Sequence, residues 1–309
     1  MKLALLCPGQ GAQFVGMGKD FFAQYPPARE VYEAADEILG FRISDLCFNG
    51  PDDQQQATDN AQVGIFVTSI AIYKTLIAEN KLSAAPDFMA GLSLGEYTAL
   101  CLAGVFSFTD GLKLVRARGQ LMQAAATAEP STMLALVGAD EPMAEEICRL
   151  AADCGIIVPA NFNAPGQIVL SGAVPACHKA AQIAEQRGLR AVILSVAGAF
   201  HSPFMQSAAD AMSRVLTETH FSAATCPVIS NVTGQPHSGG EAEIKKLLVR
   251  QIIAPVRWSQ SMEYLKTQGV ERYMELGPGR VLTGLHKRID RRAALTNVAT
   301  VDALKELAL

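Results

Sequence analysis

The chain is short of charge, of aromatic rings and of tryptophan, and each shortage narrows what it can be. Charged residues make up 18% of its 309 positions and aromatics 6%, with one tryptophan. The net charge is −4, so there is no broad positive field for a nucleic-acid backbone, and no nucleic-acid partner is expected. No run of roughly 18 apolar residues escapes polar interruption, so no membrane span is expected. The seven cysteines are odd in number and scattered, without a Cys-x-x-Cys pair. That argues against a disulfide framework and for reduced thiols in the cytoplasm. No cysteine–histidine cluster has zinc spacing, so no metal is expected. The apolar run ending at Cys7 is too short for a secretory signal and reads as a buried first strand. Internal repeats and low-complexity linkers are missing too.

What is present is ample core material. The chain is 50% hydrophobic, enough for one large core or a core with a smaller inserted domain. Strand-like and helix-like segments alternate: a strand over 2–7, helices over 26–39 and 63–79, a short strand ending at Ala90, and a helix over 110–126 capped by Asp110. This rhythm predicts an α/β fold with a mainly parallel sheet. Between about 128 and 198 the rhythm changes. A strand over 133–137 and a helix over 141–154 precede strands over 156–161 and 167–171, joined by the turn Asn163-Ala164-Pro165-Gly166. A helix over 176–187 and a strand over 190–196 follow. The order β-α-β-β-α-β is that of a ferredoxin-like unit.

Chemistry enters at Gly91-Leu92-Ser93-Leu94-Gly95, between a strand and a helix. A serine on such a turn is lifted out of the fold, and the flanking glycines let backbone pass close by. The Leu94 N–H can face an oxyanion, and the helix N-terminus adds partial positive charge. Acyl transfer or hydrolysis through Ser93 is the reading this supports. The large domain is then α/β-hydrolase-like, covering 1–127 and 199–309, with the ferredoxin-like subdomain inserted at 128–198. The serine needs a base. Of His178, His201, His220, His237 and His286, His201 stands out, because it lies where the subdomain returns to the large domain. Pro8-Gly9-Gln10-Gly11-Ala12-Gln13 follows the first strand, and its N–H groups can complete an oxyanion hole. It has neither phosphate-loop spacing. The densest positive stretch, with Lys287, Arg288, Arg291 and Arg292, is either solvated surface or a dock for an anionic partner.

Those segments, with Arg118-Gly119, Asn161-Phe162-Asn163-Ala164-Pro165-Gly166-Gln167, Gly198-Ala199-Phe200-His201-Ser202 and Glu275-Leu276-Gly277-Pro278-Gly279, occur in an order that spans essentially the whole chain. The chain thereby closely resembles the malonyl-CoA:acyl-carrier-protein transacylases and the related acyltransferase domains of polyketide synthases. The resemblance implies transfer of malonyl from malonyl-CoA to Ser93, then to the phosphopantetheine thiol of holo-acyl carrier protein, in fatty-acid or polyketide biosynthesis. It implies no tightly bound cofactor. It makes His201 the base, places the oxyanion on the N–H groups of Gln10 and Leu94, and assigns the main-chain carbonyl of Gln251 to orienting the histidine.

A malonyl group carries a free carboxylate, so its pocket needs a cation. Arg116 and Arg118 are the candidates, and being about 200° apart on a helix they cannot share one pocket. The resemblance selects Arg118, whose planar fork suits a carboxylate. It also puts Gln62 in the pocket lining and makes Phe200, directly before the histidine, a guard against an α-methyl branch. The chain departs from the family at Leu92, where most members carry histidine, and that bears on acyl selectivity. The competing reading is an acyl hydrolase or thioesterase acting on carrier-bound acyl groups. Such an enzyme is expected to lack the arginine.

Overall fold

The computed structural model describes residues 1–82 and 85–307. Along them run β1 (Lys2–Cys7), β2 (Phe88–Gly91), β3 (Ser131–Val137), β4 (Ile157–Ala164), β5 (Gln167–Ala173), β6 (Arg190–Ile193), β7 (Val228–Ile229), β8 (Val270–Leu276) and β9 (Ala294–Val298). They form two sheets in two compact units.

The first unit comprises Met1–Gly119, Thr219–Ile229 and Leu265–Leu309. Its sheet has the order β7-β2-β1-β8-β9, and every pairing is parallel. Ala4, Leu5, Leu6 and Cys7 are all fully buried, as a central parallel strand requires when both faces are covered. Cys7 pairs with Gly91, so the Pro8–Gln13 loop and the serine turn leave the sheet side by side at its carboxyl end.

Gln62 and Arg118 lie on two long helices. The first runs Thr58–Ala78, starting earlier than the expected 63. By length and composition it could cross a membrane, but 78% of its most apolar window is buried, as befits a core helix. The second, Phe108–Ala128, begins in the first unit and ends in the second. Its cap is Ser107 rather than Asp110: the Ser107 hydroxyl accepts from the Asp110 N–H at 3.0 Å and donates to the Asp110 carboxylate at 2.7 Å. The apolar periodicity alone does not reveal this side-chain cap.

The second unit comprises Gln120–Glu218 and Ser230–Tyr264. Its sheet is antiparallel throughout, in the order β4-β5-β3-β6, as a ferredoxin-like unit demands. Helices Glu141–Ala151 and Val174–Gln186 bury Ile147, Cys148, Ala176 and Ala180 against Leu134, Leu136, Ile168 and Leu170. The β4–β5 turn is tighter than expected, because the strand continues to Ala164. This unit also extends beyond 128–198. Helices Gln206–Glu218 and Gly240–Ile253 pack together, and the segment after them joins β4. Phe162 donates to the Val256 carbonyl at 2.9 Å, and Val256 to that of Ala160 at 2.8 Å.

Candidate active site

Backbone hydrogen bonds close the serine turn. Ser93 has φ 53° and ψ −103°, a conformation that costs a non-glycine residue of order 1–3 kcal/mol and persists only where its surroundings impose it. Leu92 donates to the Cys7 carbonyl at 3.1 Å, Gly95 to that of Leu92 at 2.9 Å and Glu96 to that of Ser93 at 3.1 Å. A β-carbon on Gly95 would collide with the Cys7 and Pro8 carbonyls, so only glycine lets the helix Leu94–Leu102 start this close to β1. Leu94 opens that helix, where backbone N–H groups lack intrahelical acceptors and the dipole is positive. Gln10, partly buried, lies in the loop after β1. Burial pushes the thiol of the neighbouring Cys7 far above the usual range, which makes it a poor nucleophile.

A cation lies against the serine. Arg118 is 1% exposed. Its Nη1 donates to Gln62 Oε1 at 2.6 Å and its Nη2 to Ser93 Oγ at 3.0 Å. Its guanidinium carbon lies 5.3 Å from the centre of the Tyr97 ring. Gly119 permits this arrangement, because a β-carbon there would come within 2.8 Å of Asp59 Cα. Helices Phe108–Ala128 and Thr58–Ala78 therefore approach closely enough for Gln62 to reach Arg118. Burial lowers the Arg118 pKa, and the neighbouring Tyr97 and Glu96 work against that shift. Arg116 points elsewhere, 3.5 Å from Asp59 Oδ2 and over the Phe41 ring at 4.9 Å. Gln62 is a buried partner of Arg118 within the helix Thr58–Ala78.

The histidine belongs to the second unit. His201 is 4% exposed, with φ 58°. Its Nδ1 lies 2.7 Å from the Gln251 carbonyl. A carbonyl only accepts, so Nδ1 carries the proton and Nε2 is left as the basic nitrogen. The loop before it is tied to the small sheet. Ser131 Oγ accepts from the Ala199 N–H at 3.1 Å, and Ser171 Oγ donates to the Phe200 carbonyl at 2.5 Å. Ser202 Oγ donates to the Ala199 carbonyl at 2.5 Å. Phe200 is buried. Gln251 is fully buried on the helix Gly240–Ile253, its amide nitrogen 3.5 Å from Asn231 Oδ1.

A family model described as an acyl transferase domain matches residues 4–301. The chain belongs to the acyl transferase family. It is 39% identical over 310 residues to the malonyl CoA-acyl carrier protein transacylase of Bacillus subtilis, covering 100% of this chain and 96% of that one. The solved acyl-carrier-protein-S-malonyltransferase of Bartonella henselae superposes with a TM-score of 0.94 at 41% identity, covering 99% of this chain and 98% of that one. A malonyl-transacylase solved in complex with its type II polyketide acyl-carrier protein gives a TM-score of 0.94 at 36% identity, with 99% and 98% covered.

Among the described residues of this acyl transferase, no group of three or more His, Cys, Asp and Glu side chains is placed to hold a metal ion. Lys287, Arg288, Arg291 and Arg292 are exposed at the end of the helix Val281–Ile289 and just beyond it. Glu275 anchors that helix, accepting from the Leu282 and Thr283 N–H groups at 2.9 and 2.8 Å. A Leu92 methyl carbon lies 3.2 Å from where a β-carbon on Gly9 would stand, so its apolar side chain sits against the loop after β1. The sequence reading missed Tyr97, Ser131, Ser171 and Asn231. Tyr97 lies four residues after Ser93, the spacing that puts two residues on one helix face. The others carry no local signal.

Proposed function

We infer that this chain transfers a malonyl group from malonyl-CoA to the phosphopantetheine thiol of an acyl carrier protein, through an ester on Ser93. The observation that carries this reading is the buried Arg118, one nitrogen of which lies 3.0 Å from Ser93 Oγ. A nucleophile beside a desolvated cation suits an acyl group that ends in an anion.

In this reading Ser93 Oγ attacks the thioester carbonyl while His201 Nε2 takes the hydroxyl proton. The negative charge passes to the carbonyl oxygen, which rests on the Gln10 and Leu94 N–H groups. The C–S bond breaks, and His201 returns the proton to the departing coenzyme A thiolate. The second half runs in reverse: His201 deprotonates the carrier's thiol, sulfur attacks the ester, and Ser93 recovers its proton. The Gln251 carbonyl holds the imidazole in one tautomer and supports the imidazolium that forms, with no carboxylate in that place. Phe200 limits room at the α-carbon, a selectivity worth about 1–3 kcal/mol.

Lys287, Arg288, Arg291 and Arg292 serve as an electrostatic dock for the carrier protein, and their exposure supports that role. The reading is supported by full-length relatives named as malonyl transacylases, one solved with its carrier protein. Seven free cysteines suit a reducing cytoplasm. The experiment that tests the function is transfer of labelled malonyl to holo-acyl carrier protein by wild type and by Arg118→Ala. The expected result is transfer that collapses in the variant for malonyl and not for acetyl. Equal loss for both would make the arginine structural.

A further inference from the structure

The Arg118 fork is already engaged at both ends before any substrate arrives. Nη1 donates to Gln62 at 2.6 Å and Nη2 to Ser93 Oγ at 3.0 Å. Tyr97, fully buried on the same helix as the serine turn, supports the guanidinium at 5.3 Å. A hydrogen bond donated by a cation uses one of the two lone pairs on Oγ and draws electron density from it. That lone-pair density is what must attack a thioester carbonyl. The contact therefore weakens Ser93 as a nucleophile for as long as it lasts.

A carboxylate is a far better acceptor for a guanidinium than a neutral hydroxyl is, because both partners are then charged and the two oxygens match the fork. We propose that Arg118 is a latch on Ser93 in the resting enzyme, and that the carboxylate of the incoming acyl group opens it by taking over the Nη2 donor. The residue that recognises the acyl group thus also arms the nucleophile. A neutral acyl group offers no such acceptor, so it meets a serine that is still restrained. Discrimination then acts on the acylation step itself and not on binding alone. The exchange meets the thermodynamic requirement for a ligand-driven switch, since the carboxylate interacts differently with the two positions of the donor. The proposal rests on Ser93 being the nucleophile.

The test separates arming from binding with a small neutral sulfonyl fluoride. This reagent forms an O–S bond to an activated serine oxygen with loss of fluoride and carries no carboxylate. Labelling of the full chain is followed by intact mass and peptide mapping. Sodium formate, a carboxylate small enough to leave the reagent room, is titrated against sodium chloride at equal ionic strength. Formate is expected to speed labelling of Ser93 about three- to tenfold, the scale of one modest hydrogen bond. Arg118→Met is expected to label at the faster rate without formate and to ignore it. Labelling of wild type at Ser93 that formate leaves unchanged or slows would overturn the latch alone. Label on a residue other than Ser93 would overturn the nucleophile assignment and the latch with it. The formate titration needs no variant, so a poorly folded Arg118→Met leaves the test standing.

Discussion

Ser93 and His201 share a backbone oddity, with φ of 53° and 58°, but their surroundings impose it by different means. The serine is fixed mainly by backbone: a turn closed by hydrogen bonds within three residues, a bond from Leu92 to the Cys7 carbonyl, and a glycine that lets the end of β1 approach. The histidine is fixed by side-chain hydroxyls and a distant carbonyl. Ser131 and Ser171 tie the preceding loop, and Gln251, fifty residues on, sets the tautomer. In the proposed mechanism, the nucleophile that must sit at one point belongs to a compact motif, whereas the base that must keep one orientation draws on several elements. The two regions should therefore respond differently to mutation. Changes near Ser93 should act through its own atoms, and changes around His201 should act through the ring's alignment.

Variants can break or sharpen that contrast. Ser93→Ala should show the largest effect, a loss of acyl-enzyme by a factor of about 10⁴ or more, read by intact mass with malonyl-CoA. His201→Ala should follow, at about 10²–10⁴ in the acylation rate by stopped flow, as expected for loss of general base catalysis. Arg118→Ala should cost malonyl transfer about two to four decades, because it removes a desolvated charge partner, while acetyl transfer is kept and, if the latch holds, rises. Ser171→Ala should slow acylation by about tenfold or less and leave KM for malonyl-CoA unchanged, since it loosens only the loop before His201. Gln251→Ala should be milder still, because the carbonyl that orients the ring stays. A Gln251→Ala loss as large as that of His201→Ala would show that the side chain carries the role. Charge reversal at Lys287, Arg288, Arg291 and Arg292 should raise KM for the carrier protein severalfold at low salt and little at high salt. An unchanged KM would return these residues to solvated surface.

The same contrast explains what could be read from sequence. The serine turn was legible because its glycines and its serine lie within five residues, although β1, which they pack against, is distant in sequence. So was the helix Pro26–Leu39, which has proline in its first turn and a left-handed Gly40 at its end. The antiparallel sheet was legible because its strands and helices follow one another in chain order. In contrast, β7 is two residues long, too short for any periodicity, and β8 and β9 lie beyond the last strand the pattern revealed. The helix start expected at 63 was late because helix Thr58–Ala78 begins with polar residues that the apolar pattern skips, and Gln62 lies inside it. Arg118 could be separated from Arg116 by helical geometry, but which of them is buried depends on Gly119 meeting Asp59 across two helices. Ser131 and Asn231 act through contacts with residues distant in sequence, so no motif announces them. The second unit takes in helices Gln206–Glu218 and Gly240–Ile253 because they pack on each other and feed a segment onto β4, a connection made only in three dimensions.

The central claim is that Ser93 carries the acyl group and that Arg118 makes it malonyl. Intact mass of wild type, Ser93→Ala and Arg118→Ala after incubation with malonyl-, methylmalonyl- and acetyl-CoA tests both halves together. The account predicts a malonyl adduct on wild type in clear preference to the other two, none on Ser93→Ala, and loss of the malonyl preference in Arg118→Ala. A malonyl adduct that persists on Ser93→Ala, or a wild type that takes acetyl as readily as malonyl, would contradict it.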